Sequence, residues 1–136
     1  MPRQDLYAYV DGADIEDIAT RLEKRFAAFV GTHRWISGRA RVVNQKHGEE
    51  TCSQPIDIPL WHLGLNLEIP DIGAEPPGWF ADVEAIAEFL GRLFTETGRT
   101  FVIGVAAAGT GHTCEDLFYV SSATPDIGKL RTAFGV

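Results

Sequence analysis

Four histidines (His33, His47, His62 and His112) and two cysteines (Cys52 and Cys114) are the side chains of this chain best suited to acid–base or nucleophilic work. The run His112-Thr113-Cys114-Glu115 holds the three types that a nucleophilic site combines: a thiol, a base and an orienting carboxylate. On an extended strand His112 and Cys114 share a side without being forced into contact. Nothing nearby in sequence lowers the thiol pKa. A turn-flanking histidine and a small core cysteine explain the same residues with less chemistry. His62 shares a strand with Asn66 and Glu68, and His62 with Glu68 has the types of an acid–base pair. They stand six positions apart, roughly 20 Å along a strand, so they do not touch. If the chain is an enzyme, the site is drawn from His62, His112, Cys114 and Glu115.

No metal or cofactor is expected. Zinc ligands come at close, characteristic spacings, and His47 with Cys52 or His112 with Cys114 follow none of them. The acidic run Asp11, Asp14, Glu16 and Asp17 lacks the alternating acidic spacing and closing glutamate of a calcium loop; helix capping accounts for it. The glycines between Gly104 and Thr113 lack the Lys-Ser/Thr of a phosphate loop and read as a hairpin turn. Trp79 follows Pro76-Pro77-Gly78 at a helix entry. It serves either as a hydrophobic staple or as an anchor for a partner, with Glu68, Asp71 and Glu75 nearby in sequence supplying negative charge.

These residues must be positioned by regular elements, and periodicity supplies eight. Leu6 to Val10 is a strand rich in aromatic and branched residues, stopped by Asp11-Gly12. Asp14 is placed as the N-cap of a helix with a stripe of Ile15, Ile18, Ala19, Leu22, Phe26, Phe29 and Val30, closed by Gly31. Glu16 and Asp17 fall in its first turn, as the helix dipole prefers. Trp35 to Asn44 reads as a strand with Ile36, Ala40 and Val42 on one face, and Gly38 marks a bulge or a close backbone approach. Residues 45–59 are a long polar connection. Trp61 to Ile69 alternates strictly, with Trp61, Leu63, Leu65, Leu67 and Ile69 to one side, and is assigned as the central strand. Trp79 to Thr97 carries a second helical stripe closed by Gly98. Thr100 to Ala108 is a strand apolar on both faces, Cys114 to Ser121 returns as a hairpin partner, and Thr124 with Pro125 opens a final helix.

The order β-α-β-β-α-β-β-α in 136 residues defines a single α+β domain. Its first six elements match the split βαββαβ (ferredoxin-like) arrangement, with a strand and helix as a C-terminal extension. The sheet is expected to be mixed or antiparallel, with helices packed mainly on one face.

Composition narrows function further. Nineteen acidic against twelve basic residues leave a net charge of −7, which repels nucleic-acid backbones. The densest basic group, Arg34, Arg39, Arg41 and Lys46, has no RNA-binding aromatic signature beside it. No apolar run reaches membrane-spanning length, and the N-terminal residues lack the apolar region of a signal peptide, so a cytoplasmic location is expected. The expected function is a non-enzymatic acidic binding protein, in its concrete form an inhibitor of the immunity type that neutralises a basic toxin or nuclease, with Glu68, Asp71, Glu75 and Trp79 at the interface. A small hydrolase or transferase using Cys114 or His62, and a small-molecule sensor domain, are the alternatives.

Overall fold

Antiparallel neighbours flank β1 (Gln4–Val10) on both sides: β3 (Trp61–Ile69) on one and β4 (Phe101–Ala107) on the other. β2 (Ala40–Lys46) pairs outside β3, and β5 (Cys114–Val120) outside β4. The order is β2-β3-β1-β4-β5, antiparallel throughout. The chain is described here by a computed structural model for residues 4–11, 15–46, 61–69, 77–107 and 114–134. With α1 (Ala19–Thr32) and α2 (Phe80–Thr97), the first four strands form the split βαββαβ arrangement. β5, paired with β4, and α3 (Ile127–Ala133) are the expected extension. The middle strand is β1, not the long alternating β3.

Period-two alternation makes one side of this sheet apolar. Leu6, Ala8, Leu63, Leu65, Leu67, Phe101 and Ile103 are all fully buried there, against Leu22, Phe26, Ile86, Leu90 and Leu93 from the helices. Each of these leucine, isoleucine and phenylalanine side chains contributes about 1.5–3 kcal/mol by leaving water. Phe89 of α2 joins the two long helices: it stacks on Phe29 (4.3 Å between centroids) and meets Phe26 edge-on (5.3 Å). Among the described residues no helix is long and apolar enough to cross a membrane.

Several boundaries differ from the sequence reading, each for a tertiary reason. α1 begins at Ala19, after a turn in which the Ile18 N–H donates to the Ile15 carbonyl (3.0 Å). That turn drops Ile15 fully into the core, and it leaves Glu16 and Asp17 before the helix rather than in its first turn. Asp14 lies outside the described residues. Gly31 is inside α1, whose C-cap is His33. Asp126, not Thr124, caps α3, accepting from the Lys129 N–H at 3.1 Å. Gly98 does close α2, in the left-handed conformation (φ 72°) that a side chain resists.

Residues 33–39 are a loop rather than the start of β2, and Ile36 is exposed instead of sharing the apolar face of Ala40 and Val42. One buried carboxylate explains this. Asp82, in the first turn of α2, is fully buried. Its Oδ2 accepts from the Ile36 N–H (2.8 Å), the Ser37 N–H (2.7 Å) and the Ser37 hydroxyl (2.6 Å), and its Oδ1 meets His33 Nε2 (3.0 Å). Trp35 Nε1 donates to the Val30 carbonyl at the end of α1 (3.0 Å), and its ring lies edge-on to Phe29 and His33. The loop then passes so near β3 that a Cβ on Gly38 would sit 2.4 Å from the Glu68 carbonyl oxygen. That is the close backbone approach its glycine implied.

Burial pushes the Asp82 carboxyl up, but the bonds from Ser37, His33 and Ile36 outweigh it and hold the group below its ordinary value. Its contribution is therefore present above the unfolded value of about 4 and is lost as pH falls from there through the folded value. Asp82→Ala leaves the loop donors unpaired and is expected to cost about 3 kcal/mol or more at neutral pH. Urea unfolding of both proteins tests this: the gap between them should narrow below about pH 4, and a gap that does not depend on pH would contradict the clamp.

Candidate functional site

The second face of the sheet carries a different set of side chains. The register puts Arg41 opposite Asn66, Asn66 opposite Tyr7, Tyr7 opposite Gly104 and Gly104 opposite Asp116. One row of the sheet thus runs across all five strands. Tyr7, Tyr9 and Val102 form a small apolar cluster of their own here, and among the described residues no helical side chain belongs to it. All three tyrosines of the chain, Tyr7, Tyr9 and Tyr119, lie on this face.

Two hydrogen-bonded groups organise it. In the first, the Tyr7 hydroxyl donates to Asp116 Oδ1 and the Tyr119 hydroxyl donates to Asp116 Oδ2 (3.1 Å). Tyr7 must reach over β4 to do this, and Gly104, which has no side chain, leaves the lane open. In the second, the Asn66 amide donates to the Tyr9 hydroxyl (2.7 Å) and the Leu65 carbonyl (3.1 Å), while its oxygen accepts from Arg41 Nη2 (3.0 Å). This is the orientation that satisfies both ends of the amide. Tyr7 and Tyr9 stack with their rings 19° from parallel, which joins the two groups.

A bulge is what brings Asp116 and Tyr119 to the same face. Ile103 pairs with Phe118 but Gly104 pairs with Asp116, so Leu117 is an extra residue on β5. Phe118 and Val120 still turn inward to the core. Simple alternation sets Asp116 and Tyr119 on opposite faces, so nothing in the residue pattern pointed to this cluster beyond the presence of Gly104 and an aromatic strand.

The electrostatics favour recognition over proton transfer. Burial, then the bond to Asp116 and its charge, raise the Tyr7 hydroxyl far above the ordinary tyrosine value; the same causes raise Tyr119. Both phenols remain protonated donors at neutral pH. Tyr7 is only 5% exposed and acts as a fixed support, whereas Tyr119 is 51% exposed and Asp116 is exposed beside it.

The residues proposed from sequence fall in separate places. Glu68 lies on this open face, in the row of Arg39 and Asp5. Trp79 is half-buried just before α2, packed on the helical-side core and edge-on to Phe80. Asp71, Glu75 and His112 lie outside the described residues, as do His47 and Cys52. His62, Cys114 and Glu115 are described by backbone alone. The register keeps His62 and Cys114 apart: Cys114 lies in the row of Asp5, while His62 lies two residues beyond Gly64, the partner of Tyr9. That separation is roughly 20 Å along the strands. His33, Ser37 and Asp82 supply the types of a nucleophilic triad, but the carboxylate, not the histidine, is central, and four donors already occupy it. Among the described residues no group of three or more His, Cys, Asp or Glu side chains converges to hold a metal. No family model, curated protein or solved structure matches the chain, so the site is read from its own geometry.

Alkaline titration of tyrosine absorbance reads this face directly, since it holds every tyrosine. Tyr119 should ionise above the ordinary value of about 10, and Tyr7 only as the sheet unfolds. Asp116→Asn should bring Tyr119 back toward the ordinary value; a titration unchanged by that substitution would contradict the cluster.

Proposed function

We propose that the chain is a non-enzymatic binding protein that docks a basic protein on the open face of its sheet. In its concrete form it is a cytoplasmic inhibitor of the immunity type, neutralising a basic toxin or nuclease. The observation that carries this reading is the Asp116 carboxylate, exposed and steadied by two tyrosine hydroxyls on a face that no described helix covers. A carboxylate held this way keeps lone pairs for an incoming guanidinium or ammonium and loses little freedom when it binds. Tyr119 beside it offers the rigid amphipathic surface that dominates protein interfaces. The net charge of −7 draws a cationic partner from a distance and speeds encounter. Glu68 extends the same face, and Asp71 and Glu75 follow it in sequence. In this reading Trp79 closes the start of α2.

A partner retained from source-cell lysate at low salt and released at high salt provides the assay. Asp116→Arg should abolish retention, and Tyr119→Ala should weaken it by roughly thirtyfold, the scale of an interface hot spot. Glu88→Arg, on the exposed side of α2, should change little. Tyr119→Ala and Glu88→Arg should unfold near the wild-type temperature; Asp116→Arg, which takes the acceptor from the buried Tyr7 hydroxyl, should unfold lower but in a single cooperative transition. Retention that survives Asp116→Arg but fails with Glu88→Arg would move the interface to the helices and sink the proposal.

A further inference from the structure

A second row of the open face runs beside the one that carries Tyr7. In sheet order it reads Val43, Gly64, Tyr9, Val102 and Tyr119, one residue from each strand, and none of them is charged. The first row reads Arg41, Asn66, Tyr7, Gly104 and Asp116, with its two charges at its two ends. Arg41 and Asp116 are exposed, whereas Asn66 and Tyr7 between them are buried. Two strands lie on either side of β1, so Arg41 and Asp116 stand equally far from the centre, roughly 10 Å each.

This pattern is complementary to itself. A two-fold axis running along β1 lays a second copy face down on the first, exchanges the β2 edge for the β5 edge and keeps each row over its own counterpart. Arg41 of each copy then lies over Asp116 of the other, so the pair forms twice. In the uncharged row Tyr9 lies over Tyr9, Val43 over Tyr119 and Gly64 over Val102. A two-fold axis running across the strands sets Arg41 on Arg41 and Asp116 on Asp116 instead, and charge disfavours it. Aligned sheets cross at about 30°, which offsets the edge positions by roughly 5 Å, within the reach of an arginine. Both groups keep bonding capacity: Arg41 gives one nitrogen to the Asn66 oxygen, and each Asp116 oxygen accepts one tyrosine hydroxyl.

We propose that the open face pairs two copies of this chain into a sandwich of two sheets, with the helices outside. Five strands, most of seven residues, make a face of roughly 24 by 23 Å. Two such faces remove about 1,100 Å² from water, just past the area that a specific interface needs. The pairing uses the face assigned to the basic partner but does not rest on that reading. Partner and second copy exclude one another, and a chain that is monomeric alone ends the dimer while leaving the partner assay as it stands.

The test is sedimentation velocity of the full chain without partner, at about 100 μM and 0.15 M salt, where repulsion beyond about 8 Å is screened. The chain should sediment with twice the mass of one copy. Arg41→Glu and Asp116→Arg should each sediment as monomers, and an equimolar mixture of the two should return to the dimer. In that mixture one chain carries two acids at the paired positions and the other two bases. Val43→Arg, which touches neither the charges nor the Tyr7 bond, should weaken the dimer at least about tenfold while unfolding near the wild-type temperature. Glu88→Arg on α2 should leave it intact. A wild-type chain that stays monomeric, a dimer indifferent to Arg41→Glu and Val43→Arg, or a mixture of two folded single variants that stays monomeric would each overturn the proposal.

Discussion

A sheet covered by helices on one side only must satisfy its other side with its own side chains, and this constraint organises the molecule. On the helical side the solution is apolar interdigitation, led by Phe26, Phe101 and the leucines of β3. On the open side it is a polar network in which nearly every long side chain leans on a neighbour. Tyr7 is buried on that open side because Tyr9 stacks on it, Val102 packs beside it and Gly104 lets it lie across β4. The aromatic rings thus cover the apolar residues of β4 that no helix reaches, and they deliver hydroxyls to Asp116 and Asn66.

The two faces are tied together by the buried carboxylate of Asp82. Asp82 draws the loop between α1 and β2 onto the start of α2, and Gly38 lets that loop run against β3. This sets where β2 begins, and so places Arg39 and Arg41 over Glu68 and Asn66. The helical side therefore fixes the geometry of the open side through a clamp of hydrogen bonds. Breaking it costs more than one loop, because Arg39 and Arg41 move with it.

Much of the fold was legible because its signals are local. Strict alternation over Leu63, Leu65 and Leu67, helical stripes through Leu22 and Phe26, and a glycine at position 98 each speak through neighbours a few residues away. The choice of middle strand was not local: β3 has the stronger pattern, yet β1 is the one with two strands on either side. The Asp82 clamp joins groups 45 residues and more apart, so residues 35–39 looked like strand. The candidate site was hidden by the same kind of cause. Glu68 was visible as a charge on a polar strand face, but the pairing of Asp116 with Tyr119 depends on one extra residue in β5, which no period reveals.

The reading of the open face as the docking surface is tested most directly by hydrogen–deuterium exchange of the chain alone and with its captured partner. Protection should appear in the edge strands β2 and β5, whose outer amides border the proposed interface, with α1 and α2 unchanged. Protection confined to the helices, with both edges exchanging as before, would contradict it.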